Sequence, residues 1–183
     1  MKYRTFIALE APEPVHKSLA ERLMFLRPVQ GVKWVRDQNL HLTLLFLGDV
    51  ESTAMPVLEK TLAGHAQGQK AFNLNVKGLE LFPAKKPRLV WASLANPDKD
   101  LFDFHKDLIN SIRREGFEPD IKPLRLHITL GRIRSPLPVS LERDIMQSDV
   151  DTGTYAYDKI TLYRSVLKPE GPTYHVLEQY KLT

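Results

Sequence analysis

Two stretches of this 183-residue chain put an imidazole beside a hydroxyl. In the first, Asn39 to Gly48, His41 and Thr43 interrupt an apolar run that reads as a buried strand. Side chains at i and i+2 of a strand leave the same face, so His41 and Thr43 share one face. Leu42, Leu44 and Phe46 are expected to fill the core on the other. The pattern returns in the second half of the chain, between Arg125 and Arg132, where His127 and Thr129 stand in the same relation. A lone His-x-Thr on a strand carries little information. Two copies, each followed by a leucine, are a signal.

Histidine titrates near neutral pH, so one copy can serve as a base while a second is protonated in the same site. Two imidazoles on either side of a phosphodiester suit in-line displacement. One takes a proton from attacking water and the other gives a proton to the leaving oxygen. Thr43 and Thr129 supply hydroxyls for non-bridging phosphoryl oxygens. A neighbouring arginine would offset charge developing there. Arg125, two residues before His127, falls on the same face and either lines the cleft or is a solvated strand end. Arg132 follows Gly131, and strict alternation turns it away from the cleft unless a bulge at the glycine re-aims it. This scheme requires no metal. A zinc site is not expected either, because each strand offers one imidazole and no third His or carboxylate sits at a ligand-like spacing.

The other candidates have plainer readings. Trp34, Phe46 and Trp91 are expected in the core, although each has a face on which a base could stack. Tyr163 is expected to pack in the core or at a sheet edge. His16, His65, His105 and His175 have no matching neighbours and read as surface or incidental. Lys85, Lys86 and Arg88 read as a solvated turn.

The elements that must position the two motifs follow from periodicity. Tyr3 to Leu9 reads as a strand stopped by Pro12 and Pro14, and Val15 to Leu26 as an amphipathic helix. Val32 to Val35 is a short strand leading into the first motif strand, which Gly48 is expected to close. Ser52 is a candidate N-cap for a helix toward Leu62, with Pro56 forcing a later start or a bend. Ala71 to Phe82 and Arg88 to Leu94 form an expected hairpin around Pro83–Pro87. A long helix, Leu101 to Arg114, precedes the second motif strand, its apolar stripe read as Leu101, Phe102, Leu108, Ile109 and Ile112. A Pro- and Ser-rich loop and a short helix come next. Final strands are expected near Tyr155–Ser165 and Tyr174–Lys181, around a Pro169–Pro172 turn. The order is α+β, with one strand–helix–strand unit used twice. Two pseudo-symmetric antiparallel sheets, helices outside, would bring the motif strands face to face across a central cleft. Residues 1–183 are expected to be a single bilobal domain carrying the motifs at 41–44 and 127–130.

Composition narrows the class. Apolar residues are 43% and charged ones 26%, a globular balance without signs of disorder. The formal charge of +4 suits an anionic ligand but falls short of a dedicated nucleic-acid coat. There is no cysteine, hence no disulfide framework, thiolate site or cysteine nucleophile. The apolar run near the N-terminus is too short for a signal-peptide core or a membrane span, so a soluble cytoplasmic protein is expected.

Gly31–Val35, Asn39–Leu44 with Phe46–Gly48, Leu126–Arg132 and Leu162–Ser165 together resemble the two-histidine phosphoesterases. The likeness is greatest to the bacterial and archaeal RNA 2′,3′-cyclic phosphodiesterases, historically labelled 2′-5′ RNA ligases. It runs from Phe6–Leu9 to the ending that begins at Gly171. The resemblance implies a bilobal fold with the active cleft between its halves. It also implies metal-independent hydrolysis of an RNA 2′,3′-cyclic phosphate end, or of a related cyclic nucleotide, to a 2′-phosphomonoester. On matching positions, His41 would be the proton donor and His127 the proton acceptor. Thr43 and Thr129 would bind substrate, with Arg132 as a further contact. No cofactor and no membrane partner are expected, and a monomer is. Leu45 stands where a lysine is common, Leu126 where a proline is frequent, and Gly131 where an alanine is frequent. ATP-independent 2′-5′ ligation by the same histidines is the alternative reaction. A non-catalytic nucleotide- or RNA-binding module is the alternative class, and an acid–base pair would be told from it by a bell-shaped pH profile.

Overall fold

The computed structural model describes residues 1–148, 150, 153–169 and 171–183. The first strand, β1, is Lys2–Glu10, a little longer than its apolar alternation suggested. Helix α1, Glu13–Leu26, begins before Val15 because Pro14 fits a first turn, where no intrahelical partner is lost. Strand β2 is Val32–Trp34, and a 3-10 turn at Asp37–Asn39 leads into β3, His41–Glu51. Gly48 does not end β3. Its φ of +69° accommodates a bulge against Thr5, so the strand bends and continues. Ser52 caps no α-helix either. Ser52–Ala54 is a 3-10 turn, and α2, Met55–Ala66, starts later with Pro56 in its first turn.

Strands β4, Phe72–Phe82, and β5, Leu89–Ala95, form the expected antiparallel hairpin. Helix α3, Asp100–Arg114, buries Leu101, Phe104, His105, Leu108 and Ile112. The stripe is therefore turned slightly from the one expected, since Phe104 is inside and Phe102 is exposed. Each large apolar side chain so buried contributes about 1.5–3 kcal/mol before chain entropy is subtracted. Strand β6, His127–Ile133, carries the second motif, and α4, Val139–Met146, follows the Pro-rich loop. The single strand expected over Tyr155–Ser165 is two: β7, Thr154–Tyr157, and β8, Lys159–Val166. The chain breaks at Asp158 to cross between the halves of the molecule, for β7 pairs with β4 and β8 with β1. Strand β9, Thr173–Lys181, pairs with β8. The expected Pro169–Pro172 turn includes Glu170, which lies outside the described residues.

All of these pairings are antiparallel, in the order β7-β4-β5-β6-β3-β1-β8-β9, with β2 added against β6. The α+β class, the two related halves and the outer helices are as the sequence implied. The halves are continuous, however, and the motif strands lie side by side. They join at one register pair, Leu42 opposite Ile128. Outward from that seam, β3, β1, β8 and β9 match β6, β5, β4 and β7, and β1-α1-β3 repeats as β5-α3-β6. Leu42 and Ile128 are buried in a core shared with Leu19, Leu58 and Leu108 of α1, α2 and α3. His41, Thr43, His127 and Thr129 flank the seam pair and are turned the other way, onto the open face of the sheet.

Candidate active site

A bulge in each motif strand decides what else reaches that face. In β3, Ala8 is opposite Thr43 and Ile7 is opposite Leu45, leaving Leu44 as the extra residue. Alternation changes phase there. Leu45 and Leu47 are buried instead of exposed, and Phe46, expected in the core, is 51% exposed and lines the cleft. In β6, Trp91 is opposite Thr129 and Val90 is opposite Gly131, so Leu130 is the extra residue. The same phase change turns Arg132 into the cleft, opposite Leu89. The β3 bulge is pinned from below. His105, expected to be a surface or incidental residue, is buried on α3 and its Nε2 lies 2.9 Å from the Leu44 carbonyl as donor.

The two histidines are held by one device. The Nδ1–H of His41 donates to the Asn39 carbonyl at 2.7 Å, and that of His127 to the Arg125 carbonyl at 2.8 Å. Each imidazole is thus fixed by the backbone two residues before it, which leaves Nε2 as the reactive nitrogen. The Thr43 hydroxyl sits 3.0 Å from His41 Nε2 and donates to it when the ring is neutral. Aromatic rings clamp both imidazoles. Phe6 stacks on His41 with centroids 5.0 Å apart, and Tyr174 meets it edge-on at 5.4 Å. Trp91 lies 4.3 Å from His127 and is itself stacked on Phe82.

Burial pushes the His41 imidazole down from the ordinary 6.5 to about 4. Its bond to the Asn39 carbonyl and the Glu10 carboxylate oppose that, while a charge on His127 adds to it. Burial also lowers His127, with the Arg125 carbonyl opposing and the Arg125 guanidinium reinforcing. The site therefore holds neutral imidazoles at neutral pH and resists a second proton once one has been taken.

The cleft has a volume of about 620 Å³, and all six residues singled out in the sequence line it: His41, Thr43, Arg125, His127, Thr129 and Arg132. Arg125 also lies over the Phe82 ring at 4.9 Å. Lys33 and Arg36 add positive charge to the walls, and Lys122 is there paired with Asp120. Trp91 is buried, as expected, and also borders the cleft, while Trp34, expected in the core, is half-buried against it and lines the wall. Tyr163 packs beneath, as expected, stacked on Phe6 at 5.0 Å. Phe82 and Tyr174 were not singled out in the sequence, because cross-strand partners set their position and no local motif marks it. Among the described residues, no three His, Asp or Glu side chains are grouped to hold a metal ion, and no helix is long and apolar enough to cross a membrane.

A duplicated strand–helix–strand fold with one His-x-Thr per copy, opening on a basic cleft, defines a phosphoesterase of the two-histidine class. Residues 9–91 match the model of the LigT-like phosphoesterases. The chain is 34% identical to a Thermotoga maritima protein named RNA 2′,3′-cyclic phosphodiesterase, over 95% of this chain and 92% of that one. A Methanothermobacter thermautotrophicus protein of the same name is 28% identical over the whole of both chains. The crystal structure of TT0787 of Thermus thermophilus superposes with a TM-score of 0.85 at 29% identity, over 98% of this chain and 97% of that one. Escherichia coli LigT complexed with 3′-AMP shares the fold, with a TM-score of 0.77 at 24% identity, over 100% of this chain and 99% of that one. This chain belongs to the LigT-like phosphoesterase family.

Proposed function

We propose that residues 1–183 form one bilobal catalytic domain that hydrolyses RNA 2′,3′-cyclic phosphate ends to 2′-phosphomonoesters without a metal. The observation that carries this reading is the pair of Nε2 atoms on one cleft face, each ring fixed by the carbonyl two residues before it and accompanied by a threonine. The names of the relatives point to the same substrate.

In this mechanism the cyclic phosphate lies over Thr43 and Thr129, with Arg132 as a further cation beside its non-bridging oxygens. His127 Nε2 takes a proton from water as the water oxygen attacks phosphorus. The bond from phosphorus to O3′ breaks, and His41 Nε2–H delivers its proton to O3′. The product carries a 2′-phosphate and a free 3′-hydroxyl, leaving His127 protonated and His41 neutral. Solvent exchange then resets the pair. A neutral His41 is no obstacle to its role as donor, because the bound phosphate anion stabilises the imidazolium that burial disfavours. Acid–base action of this kind contributes about 10²–10⁴-fold per group.

The test is incubation of the purified protein, with EDTA, against a short RNA ending in a 2′,3′-cyclic phosphate. The expected result is the 2′-phosphate, with activity lost in His41→Ala and in His127→Ala. Bound RNA without turnover in the wild-type protein would move it to the binding-module class.

A further inference from the structure

The pseudo-twofold axis makes the two histidines nearly equivalent, with the same carbonyl anchor, the same following threonine and the same bulge. Among the differences between the halves, one places a carboxylate directly opposite a histidine. The residue paired with His41 across the ladder is Glu10, whereas the residue paired with His127 is Ser93. Directly opposed side chains of an antiparallel pair share a face, with Cβ atoms about 5 Å apart.

Glu10 is also fixed in place. Its Oε1 accepts from the Thr161 hydroxyl at 2.9 Å, the Tyr163 hydroxyl at 3.1 Å and Gln179 Nε2 at 2.7 Å. A carboxylate is acceptor-only, which suits three convergent donors. Tyr163 in turn stacks on Phe6, and Phe6 stacks on His41. The matching position in the other half is Ser93, which brings no charge to His127.

We propose that Glu10 is a positioning residue whose anchored carboxylate favours the proton on His41, making His41, and not its symmetry mate His127, the proton donor. The inference rests on reading the site as an acid–base pair. The titratable and charged groups around His41 are Glu10 from β1, His127 from β6, Tyr163 from β8 and Tyr174 from β9, with Lys33 and Arg132 on the cleft walls. Burial raises both phenols, and of the two carboxylates nearby, Glu10 and the cleft-wall Asp120, it is Glu10 that acts on His41. It acts on His41 in the direction a donor needs, against burial and against His127.

The experiment is Glu10→Gln in the full chain, read in two ways. Imidazole NMR titration of the free protein gives the midpoint of each histidine, and the pH dependence of kcat on cyclic-phosphate RNA gives the two limbs. Losing the charge is expected to lower the His41 midpoint by about half a pH unit and leave His127 in place. The basic limb of kcat moves down with His41, so kcat on that limb falls about threefold and recovers at lower pH. Glu10→Asp, which keeps the charge, restores the limb. Ser93→Asp, which gives His127 a matching carboxylate, raises the His127 midpoint. A folded Glu10→Gln protein with an unmoved His41 midpoint, or with kcat reduced equally at every pH, overturns the proposal. If Glu10→Gln does not fold, an unmoved His127 in Ser93→Asp overturns it. The NMR titrations require no turnover, so an inactive wild type would end the hydrolase reading while still testing the effect of Glu10 on His41.

Discussion

Holding His41 neutral in the fold ties the stability of the protein to pH. Its imidazole falls from the ordinary 6.5 to about 4 on folding, chiefly through burial. Below pH 6.5 the unfolded chain takes a proton there that the folded chain refuses, so stability falls as pH falls, until the folded imidazole also titrates near 4. Over that window the displacement corresponds to about 3 kcal/mol, at about 1.36 kcal/mol per decade of proton affinity. The ring opens onto a solvated cleft, which brings the expected figure to about 2 kcal/mol. His65, His105 and His127 are lowered as well, and carboxylates titrate in the same range, so the wild-type slope alone is not diagnostic. A His41→Gln variant isolates the contribution. Urea unfolding of both proteins at about pH 7.5 and about pH 4.5 should show the wild type losing about 2 kcal/mol more than His41→Gln between the two conditions. Parallel losses, within about 0.5 kcal/mol, would refute a neutral, half-buried His41.

Three further outcomes follow from the same geometry. The bell of kcat/KM should centre on the acid side of the ordinary imidazole value, because both imidazoles are lowered in the free protein; the basic limb of kcat should lie higher, because bound phosphate stabilises the His41 imidazolium. An optimum of kcat/KM at alkaline pH would contradict this. Arg132→Ala should cost about 10–100-fold in kcat/KM, since a charge-assisted contact to phosphoryl oxygen contributes about 1.5–3 kcal/mol. Unchanged kinetics would mean that the bulge does not deliver this residue to substrate. His105→Phe removes the donor to the Leu44 carbonyl and should destabilise the fold by about 1–3 kcal/mol in urea, and an unshifted midpoint would show that carbonyl to be satisfied otherwise.

The sequence by itself determined which groups are candidates for the chemistry, and most of the elements. Two His-x-Thr pairs on strands identify groups that can exchange protons and bind phosphoryl oxygen, and those identities are local. So are the amphipathic stripes of α1 and α3 and the β4–β5 hairpin, because each rests on near-neighbour periodicity. Only the tertiary structure decided which side chains reach the cleft beyond the motifs. Phe46 and Arg132 arrive there because Leu44 and Leu130 are bulged, and a bulge depends on the register of the neighbouring strand. His105 is inside because a distant carbonyl, left unpaired at one of those bulges, needs a donor. Tyr155–Ser165 splits into two strands because its partners lie in opposite halves of the molecule. Glu10 stands in a stretch that reads only as the end of a first strand. Its place opposite His41, with donors from β8 and β9, comes from pairing between segments far apart in sequence, and periodicity along a single strand carries no record of that pairing.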